Sequence, residues 1–387
     1  MKSQITNCIY AVAFLTALLL PLTLTAQTYT VTTLQGFGGD AGANSLNDRG
    51  WAEGQANNAD NTVSHAALWL GGSAPTDLGT LGSPALNSAV AWPVKATTVV
   101  VVGISDTDQN NPLSPLNNSF SCWPFFAPGE PTGKVCKGFR WEKGVMTALP
   151  PFSGGYNSYA TAANNRGQVV GWAENGVHDP TCDPDFQTLQ FHAVIWGPKG
   201  GMTDLPPLPG DHVSAATAIN DKGQVVGISG DCGIAVGGVS AKHAVLWENG
   251  VPRNIGDLGG HTWNTPTAIN NDGVVVGFSL PLDQDRTVNY RAFVWTKATG
   301  IRKLDEMPGT IRSLALGLND NNQIVGRVSI SGVGRRAVIW QSPTAPVQEL
   351  NDLAPGAPIL TVAGDINNDG QIAGYTGDGL GFLAIPQ

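Results

Sequence analysis

The chain is short of charge and of cysteine, and it lacks the short motifs that carry enzyme chemistry. Charged residues are 13 % of its 387, and 30 Asp and Glu outnumber 21 Lys and Arg to give a net charge of −9. With no basic cluster anywhere, such a surface repels phosphate backbones, and nucleic acid is a poor partner for it. No Cys-x-x-Cys pair offers a frame for structural zinc. There is no G-x-S-x-G elbow, no H-E-x-x-H and no phosphate-binding P-loop. One long apolar run exists, Ile9 to Leu22, broken by Pro21 and shorter than the roughly 20 residues a membrane span needs. Lys2 precedes it and small residues follow up to Ala26, the layout of a secretory signal peptide over residues 1–26. That layout implies a secreted or periplasmic protein with no membrane span after cleavage.

Removing the leader removes Cys8 and leaves Cys122, Cys136, Cys182 and Cys232. An even number in an exported chain favours disulfides. What the chain has in abundance is turn residues, 49 Gly and 26 Pro, which favours an all-β fold of many short strands.

Those strands come in repeats. ANSLNDRGWAEG (43–54) returns as ATAANNRGQVVG (160–171), ATAINDKGQVVG (216–227), PTAINNDGVVVG (266–277), ALGLNDNNQIVG (315–326) and AGDINNDGQIAG (363–374). A degenerate copy, AWPVKATTVVVVG (91–103), fills the gap. The closing glycines at 54 and 374 bound six intervals of about 53 residues, the period of propeller blades. A second phrase follows each copy: HAALW (65–69), KGFRW (137–141), HAVIW (192–196), HAVLW (243–247), RAFVW (291–295), RAVIW (336–340) and LGFLA (380–384). A third, such as TDLGTLG (76–82) or MTDLPPLPG (202–210), comes after six tryptophans, and its seventh copy, YTVTTLQGFGG (29–39), stands at the other end of the chain.

Each repeat reads as four strands, inner to outer: small residues for the crowded axis, two apolar runs covered on both faces, and a charged outer edge. The expected fold is therefore an all-β, seven-bladed propeller of four-stranded antiparallel blades, one domain over 27–387 with a blade-two insert at 105–137. Tyr29–Gln35 is expected to complete the last blade against Leu380–Ile385 and close the ring. The recurring His-Ala-aliphatic-Trp, D-L-G-x-L-G and A-I-N-x-x-G-x-V-V-G phrases resemble the HAF-repeat family of predicted extracellular bacterial proteins over about residues 28–387. The resemblance implies export and a repeat fold, and brings no established activity or catalytic residue.

Asp365, Asn367 and Asp369 alternate like the start of an EF-hand-type calcium loop. The other copies of the phrase lack Asp365's carboxylate, so turn chemistry by the recurring Asn and Gly is the expected role; calcium is the alternative, and no other cofactor is implied. The recurrent Trp residues are expected in the inter-blade core. The basic residue four places before each Trp is expected to cap a neighbouring loop rather than join an anion-binding ring. All four cysteines fall in connections between second and third strands, which emerge on one face; Cys122–Cys136 and Cys182–Cys232 are the expected pairs.

That face also carries the long, dissimilar loops, and variable loops on a rigid scaffold are where binding usually sits. The candidate ligand residues are Trp123, Phe125 and Phe126 of the insert, with Tyr156, Tyr159, His212, His261 and Trp263 near the central mouth. The expected function is an exported, monomeric, non-enzymatic binding or scaffold module for a polysaccharide or extended peptide. The alternative is a propeller enzyme, a polysaccharide lyase or hydrolase acting at the mouth.

Overall fold

The computed structural model describes residues 27–90, 100–113, 122, 132–183, 187–233, 238–260, 262–281 and 289–387; the leader and most of the blade-two insert lie outside these. Seven four-stranded antiparallel sheets make up the described chain. Their inner strands are Gly38–Leu46, Ser88–Ala89, Ser158–Ala163, Val213–Ile219, Asn264–Ile269, Thr310–Leu318 and Leu360–Ile366, for blades 1 to 7. The sheet of blade 7 is split across the chain ends as expected: Tyr29–Thr33 is its outer strand, with Tyr29 opposite Pro386 and Thr33 opposite Phe382. In blade 2 the second strand runs out to Asn110 and the third starts at Lys134, so its connection is shorter than 105–137.

Five inner strands from blade 3 to blade 7, and that of blade 1, slip register at the same place, for example between Ala160 and Ala162 and between Ala216 and Ala218. The bulged residue leaves its own ladder and faces the next blade. Thr161, Thr217 and Thr267 use this to donate their hydroxyls to Ala216 O, Pro266 O and Ala315 O at 2.7–2.9 Å. The bulge also explains the glycine that ends every repeat. A Cβ on Gly171 would lie 1.8 Å from Tyr159 O, and one on Gly227 2.0 Å from Ala215 O, so no side chain fits there.

Five of the six recurrent tryptophans sit in the core: Trp69, Trp196, Trp247, Trp295 and Trp340 are all at most 4 % exposed, while Trp141 of blade 2 is only partly buried against it. Four of them also lock blades together. Trp69, Trp196, Trp247 and Trp340 donate their indole N–H to Gln35 O, Pro150 O, Pro206 O and Asp305 O at 2.8–3.1 Å, each carbonyl lying in the outer-strand phrase of the preceding blade. The second and third phrases of the repeat therefore recur together because they bond to one another across the blade interface. Cys122 pairs with Cys136 and Cys182 with Cys232, at Cα separations of 5.2 and 4.4 Å. No described helix is long and apolar enough to cross a membrane.

Candidate functional site at the two mouths of the ring

The axis opens on two faces, and their chemistry differs. On the face of the tight turns, the recurring Asn is engaged twice over. The Oδ1 of Asn220 accepts from Lys222 N and Gln224 N, closing its own turn, while Nδ2 reaches Asn270 O of the next blade at 2.9 Å. Asn164, Asn270, Asn319 and Asn367 make the same inter-blade bond, at 2.9–3.1 Å. The residues that follow form a second ring. The backbone N–H groups of Asn165, Asp221, Asn271, Asp320 and Asn368 each donate to the side-chain oxygen of the next member, ending on Asp48, at 2.8–2.9 Å. The blade-2 position of both rings falls within residues 91–99, outside the described residues. The depression they surround is about 100 Å³, below the roughly 300 Å³ at which small-molecule sites begin.

Asp365 and Asn367 belong to this architecture. Asp365 is buried and accepts from Leu46 N of blade 1 at 3.1 Å, and Asn367 accepts from Gln371 N in its own turn at 2.9 Å. Asp369 is exposed. No group of three His, Cys, Asp or Glu that could hold a metal ion occurs among the described residues.

The basic residues ahead of each Trp meet acids of the outer strand or an adjoining loop. His65 Nδ1 lies 3.0 Å from Asp77, His192 3.0 Å from Asp204, His243 2.8 Å from Asp211 and Arg336 3.0 Å from Glu349. The hydrogen bond to Asp77 raises the pKa of His65 above its ordinary value. Lys137 instead donates to Tyr156 O, and its burial lowers its pKa. Of these, only His243 meets a loop acid as expected; His65, His192 and Arg336 instead pair with the outer strand of their own blade.

The long-loop face holds the candidate ligand residues. Trp123, Phe125, Phe126 and His261 lie outside the described residues. His212, in the loop entering blade 4, is bound through Nδ1 to Asp179 Oδ2 at 3.0 Å. The His side chain is 40 % exposed and the Asp 3 %, so a buried carboxylate orients an accessible imidazole whose Nε2 is not engaged by any of the described residues. Asp179 is itself held by Thr181 N, Thr181 Oγ1 and Gln190 Nε2. Burial opposes ionisation of Asp179, but these hydrogen bonds and that to His212 outweigh it and keep its pKa below the usual value. Chain neighbours mislead here, because the adjacent Asp211 serves His243 and Ser229 instead.

Trp263 is half-buried and meets Tyr290 edge-on at 5.3 Å between centroids, and Tyr290 meets Phe278 at 5.1 Å. Tyr290 has no counterpart in the repeat phrases, which is why the sequence did not single it out. Tyr156 is half-buried, with its backbone N–H on Glu174 Oε2. Tyr159 requires a correction: it is 2 % exposed and stacked on Trp172 at 5.8 Å, inside the apolar cluster of blades 2 to 4. Regularly paired with Trp172, it packs between the blades rather than out of the mouth, leaving no ring face for a ligand. The same cluster holds Cys122, Cys136 and Cys232, with Cys182 and Trp263 packed against it, so it forms a firm floor under this face.

No protein-family model matches the chain, and no curated protein does. Among solved structures, virginiamycin B lyase from Staphylococcus aureus is similar over 92 % of this chain and 99 % of that one, at 11 % identity and a TM-score of 0.51. The β-propeller domain of the Trilobed protease from Pyrococcus furiosus is similar over 94 % and 96 %, at 10 % identity and a TM-score of 0.48. At such identities the likeness concerns the fold alone. The chain is a β-propeller.

Proposed function

We propose that the chain is an exported binding module whose ligand is taken at the long-loop mouth, near blades 3 to 5. The contrast between the two mouths supports this. On the tight-turn face the recurring Asn and Asp bond to neighbouring blades around a depression too small for a sugar or peptide. On the long-loop face, Trp263, Tyr290 and His212 stand on a rigid floor with surface still open to solvent. Aromatic faces beside polar tips suit a polysaccharide or an extended peptide. The two disulfides and the leader-like N-terminus accord with an extracellular or periplasmic site of action. Retention on a glycan and peptide array tests the reading. Wild-type protein should be retained, and Trp263→Ala should lose at least about tenfold in affinity with little change in melting temperature, as a hot-spot aromatic does. Loss of binding on Asn220→Ser with Trp263→Ala unaffected would move the site to the other face.

A second reading has its own observation, the Asp179–His212 pair. A buried carboxylate that holds an exposed imidazole by Nδ1 leaves Nε2 free to accept a proton, as a lyase or hydrolase requires. Turnover of a polysaccharide panel that disappears in His212→Gln, while binding persists, would favour the enzyme.

A further inference from the structure

Blade 6 carries three arginines toward its long-loop end, and strand pairing puts them on one side of its sheet. Ser329 of the second strand (Ile324–Ile330) lies opposite Arg312 of the inner strand and Arg335 of the third (Gly334–Trp340). Residues opposite one another on antiparallel strands share a face, as do residues two apart on one strand, which adds Arg327. That face is the one turned to blade 7, because Val325, two before Arg327, clusters with Leu360 and Ala363. Arg312 and Arg335 are exposed and Arg327 is partly buried.

No acid among the described residues answers them. Arg291 and Arg336, on neighbouring strands, have Glu306 at 3.6 Å and Glu349 at 3.0 Å. The guanidinium groups of Arg312, Arg327 and Arg335 enter no ion pair and no hydrogen bond among the described residues. Burial first, then the charges of Arg335 and Arg312, pull Arg327 down to about 10. Leu314, opposite Arg327, clusters with Phe278, and Trp263 and Tyr290 pack against that cluster, which ties the arginines to the aromatic pair; Tyr290 also feels the charges of Arg312 and Arg327. In a chain where acids outnumber bases by 30 to 21, neutralising three adjacent arginines would be easy. Leaving them together costs stability that no contact among the described residues returns.

We propose that Arg312, Arg327 and Arg335 form an oxyanion site at the long-loop mouth, and that it takes the carboxylate or sulfate of an acidic saccharide lying beside Trp263 and Tyr290. Guanidinium forks match both anions, giving parallel N–H···O bonds that a lone ammonium cannot. The proposal rests on the long-loop face being the binding face and adds the charge of its ligand.

The test is thermal unfolding of the full chain in sodium sulfate against sodium chloride of equal ionic strength. Wild type should gain melting temperature in sulfate beyond the chloride control. Arg327→Gln should melt higher than wild type in salt-free buffer, because the repulsion is gone, and should lose the sulfate-specific gain. Arg336→Gln, which removes a paired arginine, should keep it. Should Arg327→Gln fail to fold, the exposed pair Arg312→Gln/Arg335→Gln is read instead. A wild type that responds alike to sulfate and chloride, or an Arg327→Gln that responds as wild type does, overturns the site. Titration with glucuronate, glucose 6-sulfate and glucose then separates the sources: the acidic sugars should bind about tenfold or more tighter than glucose. Equal binding of all three, abolished by Trp263→Ala, keeps the binding face and overturns its preference for anions. A sulfate response with no sugar bound overturns the saccharide.

Discussion

The two faces of the disc are built from the same strands and differ in what their polar groups do. On the tight-turn face, each Asn closes its own turn and then bonds the next blade, so the ring is held by a belt of identical contacts. On the long-loop face the connections between second and third strands share no phrase, and some polar groups there, such as His212 Nε2 and the guanidinium of Arg327, meet no partner among the described residues. Repetition serves cohesion, since a bond that must form around a circle needs the same residue at each station. Function has freedom only where the repeat is not needed to close the circle.

Breaking the circle itself should have the largest effect. Deleting residues 28–36 removes the outer strand of blade 7 and the Gln35 carbonyl that Trp69 uses, and the chain should lose its cooperative thermal transition. A circular-dichroism melt unchanged from wild type would contradict closure. Next comes the long-loop face. Replacing Cys182 and Cys232 by Ala opens a loop of separation 50, for which chain entropy predicts a loss of about 4 kcal/mol. A denaturant midpoint that does not move would show that blades 3 and 4 need no tie on this side.

The tight-turn face should be softer per residue. Asn220→Ala removes the side-chain partner of Lys222 N, Gln224 N and Asn270 O. At about 1 kcal/mol for each net bond, a loss of roughly 2–3 kcal/mol is expected, with ligand retention unchanged. A fall in retention without a fall in stability would erase the contrast between the faces.

The smallest expected effect is a pH dependence at the seam of blades 7 and 1. Glu53 is fully buried, neither carboxyl oxygen has a hydrogen-bond partner, and burial first and Asp365 second hold its pKa well above 4.5. The unfolded chain gives up this proton near 4.5, and the folded chain keeps it to higher pH. Stability from this group is thus fully present below that value and declines as pH rises toward the folded value. Glu53→Gln is neutral throughout, so its advantage over wild type in urea midpoint should widen from pH 4 to pH 8. An advantage that is constant across that range would remove Glu53 from the account.

The blades, their number, the blade split between the chain ends, the core tryptophans and both disulfide pairs were legible in the sequence. Each follows from a period of about 53 residues or from parity and loop position. Within the candidate site, legibility was uneven. Trp263 and His212 lie on the predicted face, but the His212–Asp179 pair joins residues 33 apart, and the nearer acid serves another histidine. Tyr159 looked like a mouth residue because aromatics near loops often are; only the register of its strand turned it inward. The signal that could have found Arg327 was its place in the repeat. It directly follows the glycine of VGR, where the other blades carry Gln55, Ile104, Trp172, Ile228, Phe278 and Tyr375.

By itself, then, the sequence determined what is local or periodic: strand order within a blade, the turn Asn and Gly, and the closing strand. These depend on side-chain alternation and on backbone conformations that only a few residues adopt, and both are written in consecutive residues. The tertiary structure alone decided which acid each basic residue meets, which aromatic faces solvent, and that three arginines from three strands share one face with no carboxylate from the described residues between them. Such pairings depend on distances between residues far apart in the chain, and those distances exist only once the ring has closed.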